Sequence, residues 1–198
     1  MKIKLKKYYA VRKGRVPGIY ESWDECKEQT EGFSNAEHKS FLNLNDAKNY
    51  MNNLKPTDIS LSEAVCYVDG SYSVETQMFS FGAVLFYNNE QYEFSKAFSD
   101  PELASMRNVA GEIKGSEFAM QFCIDNGIKS IDIYYDYAGI EKWCTGEWKT
   151  NKQGTEDYKN FYLKIKEKLS VNFIKVKGHS GDKYNDLADS LAKSALNI

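Results

Sequence analysis

The stretch Ala64-Val-Cys-Tyr-Val-Asp69 narrows the fold more than any other: a nearly continuous apolar run, stopped by an aspartate and Gly70. Strands with one wet face alternate, so an unbroken run of this length suits a strand covered on both faces. Phe79–Tyr87 and Gln91–Phe98, on either side of Asn88-Asn89, read as a hairpin. Residues 109–126 place Val109, Ile113, Met120 and Ile124 on roughly one stripe, which predicts a helix. Over 129–136 the pattern switches to strict alternation, with Ile131, Ile133 and Tyr135 against Asp132, Tyr134 and Asp136. Tyr158, Phe161, Tyr162, Ile165 and Leu169 predict a helix over 155–169, Val171–Lys177 a strand, and Leu187, Ala188, Leu191, Ala192 and Ala195 a terminal helix. The order βββαβαβα implies an α/β domain, a mixed sheet of five strands flanked by helices.

A different pattern precedes it. Residues 7–20, KYYAVRKGRVPGIY, read as two short strands around a Gly/Pro turn. Ser22-Trp-Asp-Glu25 is a capping box that opens a helix. A loop at Gly32, a strand from His38 to Leu42, and a helix capped by Asp46 and ending near Leu54 complete a ββαβα unit. The expected division is a domain over 1–54, a linker over 55–63 around Pro56, and a second domain over 64–198. Charge follows the same division. Residues 1–55 hold eleven Lys/Arg against seven Asp/Glu, whereas the remainder is acidic, for a net charge of −2. A basic module joined to a carboxylate-rich one suits a partner that carries phosphates. Solubility alone accounts for the charge equally well.

Hydrophobic residues make up 42% and charged residues 27%, which excludes a disordered chain. Cys26, Cys66, Cys123 and Cys144 are widely separated, with no zinc spacing, and read as buried reduced thiols. MKIKLKKYYAVRKG has no apolar signal region, and no apolar run suffices to cross a bilayer. The expectation is a cytoplasmic, monomeric protein without a membrane partner.

Candidate chemistry lies in scattered carboxylates. Asp69 and Asp136 each end a strand, where a ligand can reach a sheet edge. A strand-end Asp is also a common turn former, so neither decides alone. Glu112 falls in the first turn of its helix among apolar neighbours; the plain alternative is a charge complementing the helix dipole, the role assigned to Glu117. The segment Val176-Lys-Gly-His-Ser-Gly-Asp-Lys-Tyr-Asn-Asp-Leu-Ala-Asp189 is the most specific. It puts His179, one of two histidines, in a Gly-flanked loop suited to proton transfer. Asn185 and Asp189 share a helix face beside Ala192, whereas Asp186 falls on a solvated face with Ser190 and Lys193.

Together VDGS, the Glu112 helix, the YYD strand end and KGHSGxxxNxxAD resemble ribonuclease H of type 1 over about residues 64–196. YYAVRKGR-x-PGIY-x-SWDECKEQ and FxNAExKSF resemble the hybrid-binding domain that precedes many such enzymes, itself related to a viroplasmin module. The resemblance implies a ribonuclease H-like fold and a catalytic set Asp69, Glu112, Asp136 and Asp189, all metal ligands, with His179 assisting. It implies nucleic-acid contacts at Tyr9, Trp23, Lys39, Ser71, Asn108, Trp148 and Asn185. It further implies an RNA–DNA hybrid as partner, with double-stranded RNA as the alternative. The reaction implied is cleavage of the RNA strand to 5′-phosphate and 3′-hydroxyl ends.

The physical case for metal agrees. Mg²⁺ takes six oxygens and keeps several waters, so a few carboxylates plus a phosphate suffice. Two such ions, with Mn²⁺ as a substitute, activate water and stabilise the leaving oxygen. Carboxylates crowded together without a cation repel one another.

The chain also departs from the family. Glu75 stands in the turn after DGS where an Asn is usual, Val109 and Ala110 replace polar residues beside Asn108, and Tyr137-Ala138 replaces a Ser-containing pair. In the family those positions touch the minor groove of the hybrid and its 2′-hydroxyls, which distinguish RNA from DNA. The stretch between Asp136 and His179 is short for a basic handle, though Trp143, Trp148, Lys149, Asn151 and Lys152 remain; Trp143 is expected to pack. His38 and Ser40 replace an aromatic residue and a second Lys. Three rivals stay open: a hybrid binder with an inert nuclease half, an enzyme of the same fold that cuts or joins DNA, and a structural viroplasmin-like protein.

Overall fold

A computed structural model describes residues 7–42, 44–51, 60–178 and 182–198, and the chain divides into two compact units at Ile59/Ser60. The smaller unit runs β1 (Tyr8–Lys13), β2 (Gly18–Tyr20), α1 (Trp23–Thr30), β3 (Glu37–Phe41) and α2 (Leu44–Met51). Its antiparallel sheet has the order β2-β1-β3. The capping box is present: the Glu25 amide donates to Ser22 Oγ (3.2 Å), and the Ser22 amide donates to the Glu25 carboxylate (3.1 Å). Ala10, Val11, Cys26 and Ala47 form its small core. Because α2 begins at Leu44, Asp46 lies inside the helix rather than before it. The expected end near Leu54 and the linker around Pro56 lie outside the described residues.

The larger unit runs β4 (Ala64–Tyr72), β5 (Phe79–Tyr87), β6 (Glu90–Phe98), α3 (Pro101–Ala104), α4 (Asn108–Asp125), β7 (Ser130–Tyr135), α5 (Gly139–Thr145), α6 (Gln153–Ile165), β8 (Ser170–Lys175) and α7 (Lys183–Ala195). Five strands form one mixed sheet, β6-β5-β4-β7-β8, with β4, β5 and β6 antiparallel and β4, β7 and β8 parallel. Both faces are covered, as the apolar run predicts. Cys66 and Val68 pack with Ile113, Met120, Trp143 and Tyr158 on one side; Val65 and Tyr67 pack with Ala188 on the other. The short helices α3 and α5 carry no apolar period and were not expected. Helix α6 ends at Ile165 rather than Leu169; the chain then turns so that Ser170 donates to the Lys129 carbonyl and opens β8.

Asp69 does not end its strand. On the antiparallel side β4 stays paired to β5 through Ser71 and Tyr72. On the parallel side the ladder with β7 stops at Tyr67 and Tyr134. Asp69 and Asp136 therefore each stand two residues beyond the last paired position, where the two central strands part.

Candidate active site

Alternation puts Asp69 and Asp136 on the α7 face, in step with the stacked rings of Tyr67 and Tyr134 (centroids 4.3 Å apart). Glu112 comes from α4, on the opposite face. The three meet because α4 crosses β4 with no side chain between them. A Cβ at Gly70 would collide with the Asn108 carbonyl and the Glu112 amide, and one at Gly111 with the Ser80 carbonyl and Gly70 itself. Two glycines facing each other thus let the helix backbone sit on the strand backbone. Glu112 is in the second turn of α4, which starts at Asn108, so it is not placed to complement the first-turn dipole.

The outcome is a tight group. One carboxylate oxygen each from Asp69, Glu112 and Asp136 lie within 4.8 Å of one another. Glu112 is fully buried; its Oε2 accepts from the Tyr137 amide (3.2 Å), and its Oε1 has no partner. Burial first, then the charges of Asp136 and Asp69, raise its carboxyl well above the usual range, against the amides of Tyr137 and Asp136. The Gly70 amide donates to Asp69 Oδ1 (2.7 Å). Glu117 provides the contrast: it is partly exposed and pairs with Lys114 at 2.8 Å.

A buried carboxylate with one oxygen left without a donor, gathered with two more carboxylates, is a costly arrangement that a divalent cation resolves. The donors are all oxygen, which suits a hard ion. Asp132, on the same strand as Asp136, shows what a merely structural acid looks like here. It is buried too, but accepts from Ser60 Oγ (2.6 Å), Ser62 Oγ (2.6 Å) and Asn172 Nδ2 (2.9 Å).

Asp189 is on α7, yet outside the group of three. Its Oδ2 is 2.7 Å from Lys193 Nζ, one turn further along. The helix itself is fixed over the Asp69 face: Ser80 Oγ donates to the Ala192 carbonyl (2.6 Å), and Ala188 and Ala192 backbone atoms press on Gly82, the register partner of Asp69. Asn185 is buried with its Oδ1 unpartnered, and Asp186 is exposed as expected. His179 lies outside the described residues. Gly178, just before it, packs against Asp136 so closely that a Cβ there would strike the carboxylate.

These features decide the family when set beside known proteins. Residues 62–197 match the family described as RNase H, and residues 7–51 match the Ribonuclease H1 N-terminal domain. The chain belongs to the ribonuclease H family. A ribonuclease H of Syntrophomonas wolfei is 30% identical over 144 residues, covering 69% of this chain and 97% of that one. The amino-terminal part is 50% identical over 44 residues to a ribonuclease H of Crithidia fasciculata, covering 22% of this chain and 9% of that one. Among solved structures, RNase H1 from Halobacterium salinarum superposes with a TM-score of 0.57 at 21% identity, covering 68% of this chain and 97% of that chain. LC11-RNase H1 in complex with an RNA/DNA hybrid gives 0.53 at 13%, covering 67% and 99%. The chain is accordingly a nuclease with ribonuclease H activity, in a family that depends on metal.

The remaining expected contacts divide by exposure. Within the smaller unit Trp23 is 47% exposed and flanked by Tyr9 (5.8 Å between centroids) and His38 (5.7 Å), an open aromatic row. Lys39 is half-buried and lies over the Phe41 ring (5.9 Å). In the larger unit Asn108 is exposed, while Ser71 is buried within β4. Trp143 packs in the core, and Trp148 stays 38% exposed, edge-on to Trp143 and Tyr137. A cleft of about 700 Å³ opens there, lined by Met106, Val109, Tyr137, Trp148, Lys149 and Lys152. Tyr137, a break in the family pattern by sequence, is thus part of the cleft wall and donates its amide to Glu112. Nothing in the linear pattern signals that role, because it depends on where α4 ends up. Lys193 was likewise passed over as part of a solvated face.

Proposed function

We propose that this ribonuclease H is an endonuclease that cleaves the RNA strand of RNA–DNA hybrids with two divalent cations, Mg²⁺ or in its place Mn²⁺, leaving 5′-phosphate and 3′-hydroxyl ends. The observation that carries the reading is the fully buried Glu112 carboxylate, one oxygen unpartnered, gathered with Asp69 and Asp136. Asp69, Glu112 and Asp136 would hold one cation, and Asp189 would help to hold the second. When bound, such ions activate a water for in-line attack and stabilise the leaving oxygen. The chain's own part is to fix its carboxylates before substrate arrives, at the end of a ladder that cannot shift without moving the sheet. His179 would assist proton transfer or product release. Asn185 presents an amide beside the substrate strand.

Support for the hybrid as partner comes from the LC11 relative, whose structure contains one, and from the match of residues 7–51. Trp148, Lys149 and Lys152 offer the DNA strand a ring and two cations along the cleft. The row Tyr9–Trp23–His38 offers the smaller unit a stacking surface, which raises the local concentration of hybrid at the site. Double-stranded RNA is the alternative ligand of that unit. Four buried free cysteines among the described residues accord with a reducing, cytoplasmic setting. The decisive experiment is cleavage of an end-labelled hybrid with Mg²⁺. Wild type should cut only the RNA strand, and Asp69→Asn or Glu112→Gln proteins should not. Cutting at wild-type rate by either variant, or equal cutting of double-stranded DNA, sinks the proposal.

A further inference from the structure

Resting on the reading that Asp189 completes the second cation site, we infer that Lys193 is a positioning residue that occupies Asp189 until that cation displaces it. Two facts fix the geometry. Asp189 Oδ2 is 2.7 Å from Lys193 Nζ, while the oxygens of Asp69, Glu112 and Asp136 gather without it. The backbone of α7 is pinned to β5 by the bond from Ser80 Oγ to the Ala192 carbonyl and by contact at Gly82. Asp189 therefore joins or leaves the group by rotating its side chain, since the helix that carries it stays in place.

The pairing is favourable in its own right. An aspartate one turn before a lysine has the better orientation for an i,i+4 pair, and the carboxylates of Asp69 and Asp136 on the same face of the sheet favour a cation beside Asp189. Lys193 is 47% exposed on a flexible stem, so it can release Asp189 into solvent. Lys193 thus acts as a resident counter-ion. A first cation needs only the three converged carboxylates. A second must break the Asp189–Lys193 pair, so its affinity is lower by the strength of that pair. The two sites are made unequal by one lysine outside the ligand set, which lets the metal level decide whether the second site fills.

The test is a titration of the full chain with Mn²⁺ alone, without nucleic acid, counting free and bound ion by electron paramagnetic resonance. Wild type should show two classes of site. Lys193→Ala should tighten the weaker class about two- to fivefold, the scale of a partly exposed ion pair, and leave the stronger class unchanged. Lys193→Arg should behave as wild type. Asp189→Asn should abolish the weaker class, and adding Lys193→Ala to it should change nothing further. If Lys193→Ala leaves both classes unchanged while Asp189→Asn removes the weaker one, the inference about Lys193 fails and the role of Asp189 stands. If Asp189→Asn retains both classes, or wild type shows a single class, the assignment of Asp189 fails with it. A purely structural role would appear instead as a lower unfolding midpoint in chelator with no tightening.

Discussion

Asp69 is held by a strand still paired to β5, Glu112 by a helix packed on that strand, and Asp136 by the end of β7, whereas Asp189, its side chain one-fifth exposed, stands on a helix face and pairs with Lys193. The first group cannot relax: the β4–β7 ladder and the Gly70–Gly111 contact set its spacing, so its charges stay crowded whether or not an ion is bound. The second can relax, and it has done so, onto Lys193. One site thus places its preorganisation where the cost is greatest and leaves its fourth ligand adjustable.

The strongest way to break this contrast is to remove a charge from the fixed side. Asp69→Asn or Glu112→Gln should lower turnover of a labelled hybrid by on the order of 10³-fold or more, since several kcal/mol of transition-state stabilisation depend on the ions they hold. A loss below tenfold would mean that the converged carboxylates are not the reactive centre.

Stability without metal should move the other way. Glu112 has its folded-state pKa raised, so its contribution is complete below the unfolded pKa, near 4.3, and is lost as pH rises through the folded value. In chelator, stability should fall as pH is raised across that interval, and Glu112→Gln should stabilise the protein once pH exceeds the folded value. Saturating Mg²⁺ should reverse the order of the two proteins. Thermal unfolding with and without chelator reads both outcomes, and a Glu112→Gln protein less stable than wild type in chelator would show that the carboxylates are not in conflict.

On the adjustable side the effect should be smaller. Asp189→Asn should reduce turnover about tenfold, with the loss partly recovered at high Mn²⁺, because the substrate phosphate still offers oxygens to the second ion. A loss as large as that of Asp69→Asn would erase the distinction between the two sides. The smallest change lies outside both. Trp23→Ala should weaken hybrid binding about fivefold with kcat unchanged, the scale of one stacked base. A fall in kcat would tie the aromatic row to the chemistry itself.

Part of this was legible in the chain. The run Ala64–Val68 required a strand buried on two faces, and the alternation over 129–136 fixed which residues of β7 meet the core. The capping box located the start of α1 to the residue, because it depends only on neighbours three positions apart. Errors arose where an element's end is set by a distant partner. Asp69 looked like a strand end because Gly70 follows it, but β5 keeps β4 paired through Tyr72. Asp46 looked like a cap, but α2 starts two residues earlier. The helix of Glu112 starts at Asn108, which moves that carboxylate out of the first turn and removes the dipole explanation.

By itself the sequence determined the order of the strands and the longer helices, the two-part charge division and the family, because those depend on residue types at short, regular spacings. Only the tertiary structure decided which acids are in conflict. Asp132 and Glu112 are both buried carboxylates, yet Ser60, Ser62 and Asn172 satisfy the first, while the second faces Asp69 and Asp136 with an oxygen unpartnered. Burial, hydrogen-bond supply and charge crowding are properties of neighbours brought together by packing, and no spacing along the chain encodes them.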